Sequence, residues 1–294
     1  MEQQKLMIVT GPTAVGKTDF VIDLAQKLDT EIISADSVQI FKKLDIGSAK
    51  PSPEERSKAK HHLIDFLEPD AEYSVFDYRR DAMRIIADLH ARGKLPIVSG
   101  GTGLYLHSLI YDMDFSGAEA REKSKGEYAG YSLEVLRDML EERGIALSRD
   151  DWNNQRRLTR KLEIYESTGS TAAFTSAERK PGLFEVELIV LERDREELYE
   201  RINRRVDQMM EQGLLGEVKG LLQAGLSKEH QSMRAIGYKE LIEHLEGAYS
   251  LDEAVELIKR NSRRYAKRQL TWFRRYENKT VIRLPLPSAS PAES

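Results

Sequence analysis

The chain has 294 residues, of which 40% are hydrophobic and 32% charged, and its formal net charge at pH 7 is −4. This length suffices for a sizeable core, organised as one large domain or two unequal ones. Cysteine is absent and no apolar run could span a bilayer, which excludes disulfides, thiolate zinc sites and a transmembrane segment. The N-terminus carries no apolar signal region, so we expect a cytoplasmic protein without membrane contacts, in which any nucleic acid would need a local basic patch.

The first predicted strand, residues 6–10, leads into a glycine-rich loop and then into a helix predicted at 19–28. The loop, residues 11–18, reads Gly-Pro-Thr-Ala-Val-Gly-Lys-Thr and matches the phosphate-binding pattern G-x-x-x-x-G-K-[ST]. In this motif the backbone N–H groups and the helix N-terminus face an anion, a lysine adds charge, and a hydroxyl can hold Mg²⁺. We therefore predict a phosphate ligand bound by Gly11, Thr13, Ala14, Val15, Gly16, Lys17 and Thr18.

An acidic residue follows the second predicted strand, residues 31–34. Asp36 would lie at a strand tip facing the loop, where a carboxylate can bind Mg²⁺ through water or accept a proton from a nucleophile. The structural alternative is a turn cap, because Asp before Ser-Val commonly accepts local backbone hydrogen bonds. The strand predicted at 95–99 is followed by no carboxylate, which argues against a motor or switch ATPase.

A second glycine-rich turn, Gly-Gly-Thr-Gly at 100–103, follows the helix predicted at 76–91 and the strand at 95–99. Beside the loop at 11–18, its N–H groups and the Thr102 hydroxyl would enlarge the anion site. The alternative is a turn that only lets a helix pack tightly on the sheet.

The alternation of strands and helices predicts an α/β fold with a P-loop-type parallel sheet, flanking helices, a short helical insertion and a helical C-terminal part. The strand at 185–191 and the helix at 195–212 continue this pattern. We expect the catalytic core at 1–114 and 148–284 and the insertion at 115–147, with one clear helix at 133–143. The Pro/Ser/Ala-rich tail at 285–294 is expected to be disordered.

A helix near the C-terminus carries two neighbouring rows of cations at i,i+4 spacing. Its predicted buried face consists of Leu251, Val255, Ile258, Ser262, Tyr265, Gln269 and Trp272, and the two rows are Lys259, Arg263, Lys267 and Arg260, Arg264, Arg268. Like charges at this spacing repel, and no acid occurs between positions 256 and 277 to offset them. Such a face favours a polyanion, although a solvated helix surface is the structural alternative.

Two further basic features support a polyanionic or phosphorylated ligand. Cations cluster at 156–161, and Arg234 is isolated in a small apolar turn, Ser-Met-Arg-Ala-Ile-Gly-Tyr. The bidentate guanidinium of Arg234 suits a diphosphate.

Taken together, the motifs closely resemble those of the bacterial tRNA dimethylallyltransferases, also called tRNA isopentenyltransferases. The similar segments follow one another over most of the chain and are residues 11–18, 33–39, 45–51, 100–105, 156–163, 235–238 and 265–272. The combination of Asp-Ile-Gly-Ser-Ala-Lys-Pro at 45–51 with Ala-Lys-Arg-Gln-Leu-Thr-Trp at 266–272 is highly specific for that family. The chain departs from the family at 148–155, where a His-Pro-Asn-Asp-type segment is replaced, and its insertion is short.

The resemblance implies transfer of the dimethylallyl group from dimethylallyl diphosphate to the N6 amine of the adenosine 3′ to the anticodon. In this scheme the loop at 11–18 holds the diphosphate, and Lys17, Arg234 and a Mg²⁺ bound by Thr18 stabilise the leaving group. Asp36 would bind the same Mg²⁺ through a water molecule. Asp36 would also bind the adenine amine and take its proton. We expect a monomer, with the tRNA anticodon loop as its partner.

The resemblance also assigns tRNA contacts, most of them polar. The expected tRNA-binding residues are Asp36, Ser37, Val38, Gln39, Thr102, Arg156, Arg157, Leu158, Thr159, Arg160, Arg260, Arg263, Arg264, Lys267 and Arg268. The last five would bind the RNA backbone.

A small-molecule P-loop kinase is the alternative function. Shikimate-type kinases also place an acid after the second strand and a Gly-Gly turn after the third, so Asp36 and the two glycine-rich turns do not separate the possibilities. The basic helix and residues 156–160 favour the tRNA enzyme, because a kinase of a small metabolite has no use for a polyanion-binding face. A non-catalytic RNA-binding protein would leave the phosphate-binding loop without a role.

Overall fold

A computed structural model describes residues 3–113, 128, 130–149, 151–168 and 182–285 of the chain. Its strands are β1 (Gln4–Thr10), β2 (Ile32–Ser34), β3 (His61–His62), β4 (Ile97–Gly100), β5 (Phe184–Arg193) and β6 (Thr280–Leu284). They form one six-stranded sheet in the order β3-β2-β4-β1-β5-β6, with every neighbouring pair parallel. The predicted α/β class with a parallel sheet is confirmed.

Ten α-helices connect and flank the strands within the described residues. They are α1 (Lys17–Lys27), α2 (Pro53–Lys58), α3 (Val75–Ala91), α4 (Gly103–Ile110), α5 (Leu133–Glu142), α6 (Gln155–Thr168), α7 (Arg195–Glu211), α8 (Leu214–Gln223), α9 (Tyr238–Leu245) and α10 (Leu251–Phe273). A short 3₁₀ helix covers Ser232–Arg234. Within that part of the chain, no helix combines the length and the apolar character needed to cross a membrane.

Helix ends follow from local sequence. Ser74 and Ser250 cap α3 and α10 through capping boxes with Asp77 and Glu253, so each pair satisfies backbone N–H groups that the first helical turn leaves without partners. The start of the long helix α10 is thus encoded at its first turn.

The chain divides into two compact units, which we call the larger unit (residues 1–110 and 183–294) and the smaller unit (111–182). In the larger unit, both faces of β1 are buried: Leu6 and Ile8 lie on one face and Val9 on the other. The Val9 face packs against α1 and α7, for example on Val21 and Ile202. This burial on two sides is typical of parallel sheets.

The smaller unit has an apolar core of its own. Helices α5 and α6 pack through Leu136, Leu140, Leu158 and Leu162. The unit spans more of the chain than the insertion we expected at 115–147, and α6 with residues 156–160 belongs to it rather than to the larger unit. Residues 286–294 of the expected tail lie outside the described residues.

The buried face of α10 differs from the predicted one. The most buried side chains are Ala254, Ile258, Ala266, Gln269 and Phe273, so only Ile258 and Gln269 of the predicted face are among them. Two of the five are alanines, and Ala266 packs in the same apolar cluster as Leu198 and Ile202 of α7. We assigned the face from alternating steps of three and four, and alanines offer little signal in such a pattern, so the predicted face was displaced.

Candidate active site at the carboxyl ends of the strands

The loop at 11–18 joins β1 to α1 at the carboxyl edge of the sheet. Gly11 is required by close packing, since an added Cβ would lie 2.6 Å from the Leu191 carbonyl oxygen on β5. Gly16 has a φ of 108°, a conformation that favours glycine. The sequence motif therefore adopts the strand, loop and helix arrangement that it predicts.

Cationic side chains hold the carbonyl oxygens of this loop. Lys17 Nζ donates to the Gly11 and Pro12 oxygens at 3.0 and 2.9 Å. Arg201 Nε donates to the Ala14 oxygen at 2.9 Å. The first N–H groups of α1 have no acceptor within the helix, so this end of the loop offers donors, the polarity that an anion needs.

A cavity of about 460 Å³, which we call the first cavity, lies over the loop and is lined by three arginines of α7. These are Arg201, Arg204 and Arg205. Burial, and then the neighbouring Arg205, lower the pKa of Lys17 to about 8, while the Asp36 carboxylate opposes the shift. Burial also lowers the pKa of Arg205. A cluster of partly buried cations of this kind is stabilised by a bound polyanion.

Three arginines on one face of α7 are functional candidates that sequence reasoning missed; they are Arg201, Arg204 and Arg205. They stand at i, i+3 and i+4 on the helix that we predicted at 195–212, and this spacing places them on one face. The spacing was the sequence signal that could have identified them. Nothing in the local sequence shows that this face covers the loop at 11–18.

A second cavity, of about 390 Å³, adjoins the first, and both include Asp36, Arg205 and Tyr265 in their walls. Apolar side chains contribute much of its remaining lining, namely Val38, Ile202, Val206, Met209, Ile236 and Ile258. The site thus consists of a cationic chamber and a more apolar one, with Asp36 at their boundary.

Asp36 caps a turn, as the structural alternative predicted. Its Oδ1 accepts hydrogen bonds from the backbone N–H groups of Val38 and Gln39 at 2.9 and 3.2 Å. Among the described residues, no donor reaches its Oδ2. One oxygen therefore fixes the turn and the other is available at the junction of the two cavities.

The glycine-rich turn at 100–103 packs very tightly. A Cβ on Gly100 would lie 2.1 Å from the Ala35 oxygen, which matches the packing alternative. The Thr102 hydroxyl accepts a hydrogen bond from the Ser37 N–H at 3.0 Å, so it positions the Asp36 turn. Gly101 lines the first cavity.

Gln269 of α10 links the two glycine-rich turns. Its Oε1 accepts the Thr13 N–H at 2.9 Å, and its Nε2 donates to the Gly101 oxygen at 2.9 Å. A Cβ on Gly101 would lie 2.3 Å from that Nε2. We had placed Gln269 only on a buried helix face; its contacts make it part of the site.

The segment at 45–50 forms a wall shared by both cavities and is held by Glu217. The Glu217 carboxylate accepts the N–H groups of Ile46 and Gly47 at 2.8 and 3.2 Å, and the Tyr238 hydroxyl donates to it at 2.7 Å. A Cβ on Gly47 would lie 2.5 Å from the Tyr238 ring. The segment is therefore fixed by α8 and α9.

Comparison with known proteins identifies the family to which the chain belongs. The IPP transferase family model matches residues 39–276. The tRNA dimethylallyltransferase of Alkaliphilus oremlandii is 50% identical over 94% of this chain and 90% of its own length, and that of Thermotoga maritima is 48% identical over 93% and 90%. The chain belongs to this family. The small-molecule kinase alternative is thereby excluded, and the chain is an enzyme of the tRNA dimethylallyltransferase class.

Solved structures agree with this membership. The tRNA isopentenylpyrophosphate transferase of Bacillus halodurans has a TM-score of 0.70 and 40% identity, covering 96% of this chain and 90% of its own. A eukaryotic dimethylallyltransferase acting on tRNA has a TM-score of 0.78 and 30% identity, covering 92% and 70%. The fold is that of the IPP transferases.

Arg234, which we assigned to the diphosphate, does not lie with Lys17. Its guanidinium donates to the Glu229 carbonyl oxygen at 2.8 Å and pairs with the Glu229 carboxylate at 3.4 Å. The side chain is more than half exposed and lines the second cavity, not the first.

The cationic rows of α10 are only partly available. Lys259 pairs with Asp207 at 2.8 Å and Glu256 at 3.1 Å, so the expectation that no acid offsets the rows was wrong for this residue. Arg263 donates to Asn203, and the Arg268 guanidinium lies 5.6 Å from the centre of the Tyr265 ring. Four cations of the rows are exposed and make no ion pair with any described residue; they are Arg260, Arg264, Lys267 and Arg268.

Residues 156–160 start α6 in the smaller unit. The Leu158 side chain is fully buried in the core of that unit, so it is not available as a side-chain contact. Arg157 lies 3.7 Å from Asp151, and Arg160 lies 3.5 Å from Glu163. Arg156 is exposed.

Proposed function

We propose that the enzyme transfers the dimethylallyl group from dimethylallyl diphosphate to the N6 amine of the adenosine 3′ to the tRNA anticodon, releasing diphosphate. The observation that carries this proposal is the pairing of the two cavities. A cationic chamber adjoins a more apolar one, and a carboxylate stands at their boundary.

In this proposal the diphosphate occupies the first cavity. Lys17 and Arg205 are partly buried cations, and burial lowers the pKa of each, so an anion would stabilise their charged forms. Charge develops on the diphosphate as the allylic C–O bond breaks, and fixed cations in a buried site stabilise that charge. A guanidinium binds two phosphate oxygens at once, so we retain Arg234 as a ligand of this anion. Because Arg234 lines the second cavity, this role requires its guanidinium to leave Glu229.

The acceptor adenine enters through the second cavity. Its exocyclic amine is a weak nucleophile because the lone pair is delocalised into the purine, so a carboxylate that takes the amine proton assists the attack. Asp36 Oδ2 is available for this, while Oδ1 holds the turn. An unpaired loop base can leave its stack and reach such a pocket at low cost.

The residues at the loop fit a Mg²⁺ ion. The described residues contain no group of three or more His, Cys, Asp or Glu side chains that could hold a metal by themselves. Mg²⁺ is typically held by one or two protein oxygens together with substrate phosphates, and Thr18 and Asp36 supply oxygen donors beside the first cavity. Bound there, the ion would neutralise charge on the diphosphate.

The proposal is tested by incubating the protein with Mg²⁺, dimethylallyl diphosphate labelled in the prenyl group and unmodified tRNA. We expect label in the tRNA and stoichiometric release of diphosphate. A parallel reaction with γ-labelled ATP should transfer no phosphate. Phosphate transfer from ATP without prenyl transfer would contradict the proposal.

A further inference from the structure

Trp152 is an aromatic side chain that the proposed reaction does not use. It belongs to the smaller unit, and 52% of it is exposed. The same unit has an apolar core, formed by side chains such as Leu136 and Leu158, from which the Trp152 ring is excluded. Trp is enriched at interfaces because its large ring supplies apolar contact area, so the exposed indole offers a contact surface.

The backbone beneath Trp152 is rigidly held. Asp151 is buried, and its Oδ2 accepts hydrogen bonds from the Ser148 N–H and hydroxyl at 2.8 and 2.7 Å. The Asn154 N–H donates to the backbone carbonyl oxygen of Asp151 at 2.9 Å. The side-chain oxygen of Asn154 accepts a hydrogen bond from the Arg157 N–H at the start of α6. The ring is therefore presented by a fixed turn, with little conformational entropy to lose on binding.

One face of the indole is already covered. The Arg137 guanidinium lies 4.9 Å from the ring centre, a cation–π contact that orients the ring. Since the residue remains half exposed, further ring surface is available to a planar partner.

The charges beside Trp152 indicate the chemistry of that partner. The first turn of α6 contains no acid and carries Arg156 and Arg157 at the positive end of the helix dipole. Arg156 makes no ion pair within the described part of the chain. Helix α5 carries both signs of charge, so the cationic face belongs to α6. An exposed aromatic ring beside cations is the arrangement on which proteins stack unpaired nucleic-acid bases.

We propose that Trp152 is a stacking platform for an unpaired base of the tRNA anticodon loop, with Arg156 binding adjacent phosphate. This rests on the proposed function, because it requires the anticodon loop to be the substrate. Stacking is tolerant of base identity, so the platform would add affinity and hold the loop in place, not read its sequence.

Intrinsic fluorescence tests the contact directly, since the chain has two tryptophans, Trp152 and Trp272. The difference between the wild-type and Trp152→Phe spectra isolates the emission of Trp152. We expect an anticodon stem-loop RNA to quench this difference signal, and a blunt duplex of the same stem sequence to leave it unchanged. A stem-loop that is prenylated yet leaves the signal unchanged would overturn the platform while the proposed function stands.

Binding measurements separate stacking from charge. Trp152→Ala should weaken stem-loop affinity about 5- to 100-fold, with Trp152→Phe retaining most of it. The log–log salt slope should stay unchanged in Trp152→Ala and shrink by about 0.7 to 0.9 in Arg156→Gln. Leu183→Ala, which truncates another exposed apolar side chain, is the matched control and should bind normally.

Two outcomes of the variant measurements would overturn the inference. Unchanged affinity in Trp152→Ala would show that the ring makes no contact. If Trp152→Ala and Trp152→Phe both have lower melting temperatures, and each loses RNA affinity in proportion to that decrease, the ring has a structural role only. Failure of the wild-type protein to bind the stem-loop would overturn the proposed function together with this inference.

Discussion

Lys17 is an ionisable group whose charge the site controls. Its pKa of about 8 in the free protein lies below its ordinary value because of burial and of Arg205. The ammonium is present below that pH and is lost as the pH rises through it, while a diphosphate stays ionised. We therefore expect the affinity for Mg²⁺-pyrophosphate to be level near pH 7 and to fall by up to about tenfold per pH unit above 8.

Calorimetric titration between pH 7 and 9.5 measures this dependence. Lys17→Arg is the matched variant, because a guanidinium stays charged throughout that range. Its affinity should be lower overall but nearly flat with pH. A wild-type affinity that does not change above pH 8 would show that Lys17 is not the diphosphate ligand that loses its charge.

Asp36 has two separable roles, and Asp36→Asn separates them. Asparagine keeps an oxygen that can accept the Val38 and Gln39 N–H groups, so the turn and tRNA binding should survive. The chemical step should slow by roughly two to four orders of magnitude, the range for a lost general base. The measurement is the rate of single-turnover prenylation at saturating substrates. A near-normal rate would show that Asp36 only caps the turn and does not accept the proton.

At the scale of elements, the link between the two glycine-rich turns is testable through Gly101. Gly101→Ala places a methyl group 2.3 Å from Gln269 Nε2, so Gln269 must release the Thr13 N–H or the Gly101 oxygen. We expect weaker binding of pyrophosphate, by about 5- to 50-fold, from one buried polar group left unpaired.

Gly216→Ala is the matched control for this change. A Cβ at Gly216 meets no atom within 4 Å, and the residue lies in α8, where alanine favours the helix. Its pyrophosphate affinity should equal that of the wild type. Equal affinities in both variants would show that the link by Gln269 does not shape the phosphate-binding loop.

Helix α10 carries the cations assigned to the RNA backbone. Changing Arg260, Arg264 and Arg268 together to Gln should leave the free energy of unfolding unchanged or slightly raised, because like charges at i,i+4 are removed. Affinity for tRNA should fall, and its log–log salt slope should shrink by about 0.7 to 0.9 for each phosphate group that the variant no longer binds.

Lys259→Gln is the control within the same helix. Lys259 is paired with Asp207 and Glu256, so its replacement should leave the salt slope nearly unchanged. Thermal unfolding and tRNA binding over a range of salt concentrations compare the variants. A triple variant with the wild-type slope would show that this face is ordinary solvated surface.

Sequence periodicity located the long elements but not the short ones. β1, β2, β4 and β5 follow from their apolar runs, whereas His61–His62 is too short to show a period. β6 was missed because Thr280–Leu284 is an edge strand with no buried residue, defined by pairing with β5. Caps such as Ser250 are local and could be read from the sequence. The burial of Ala266 on α10 depends on α7, the helix against which it packs.

At the scale of the whole molecule, the motif residues could be predicted from the sequence, but the residues that surround them in the site could not. The loop at 11–18 and Asp36 meet because strand tips converge at one edge of a parallel sheet. The arginines of α7 and Gln269 of α10 reach the same place only through the packing of distant helices. The surroundings of Arg234, including its bond to Glu229, likewise depend on tertiary structure.

The central claim is that this site joins a prenyl group to one adenosine of tRNA, and nucleoside mass spectrometry of the reaction product tests it most directly. Two anticodon stem-loops are compared, one with adenosine 3′ to the anticodon and one with guanosine there, each incubated with Mg²⁺ and dimethylallyl diphosphate. We predict N6-dimethylallyladenosine at that position in the first RNA and no product in the second. Product at another nucleotide, or equal labelling of both RNAs, would contradict the account.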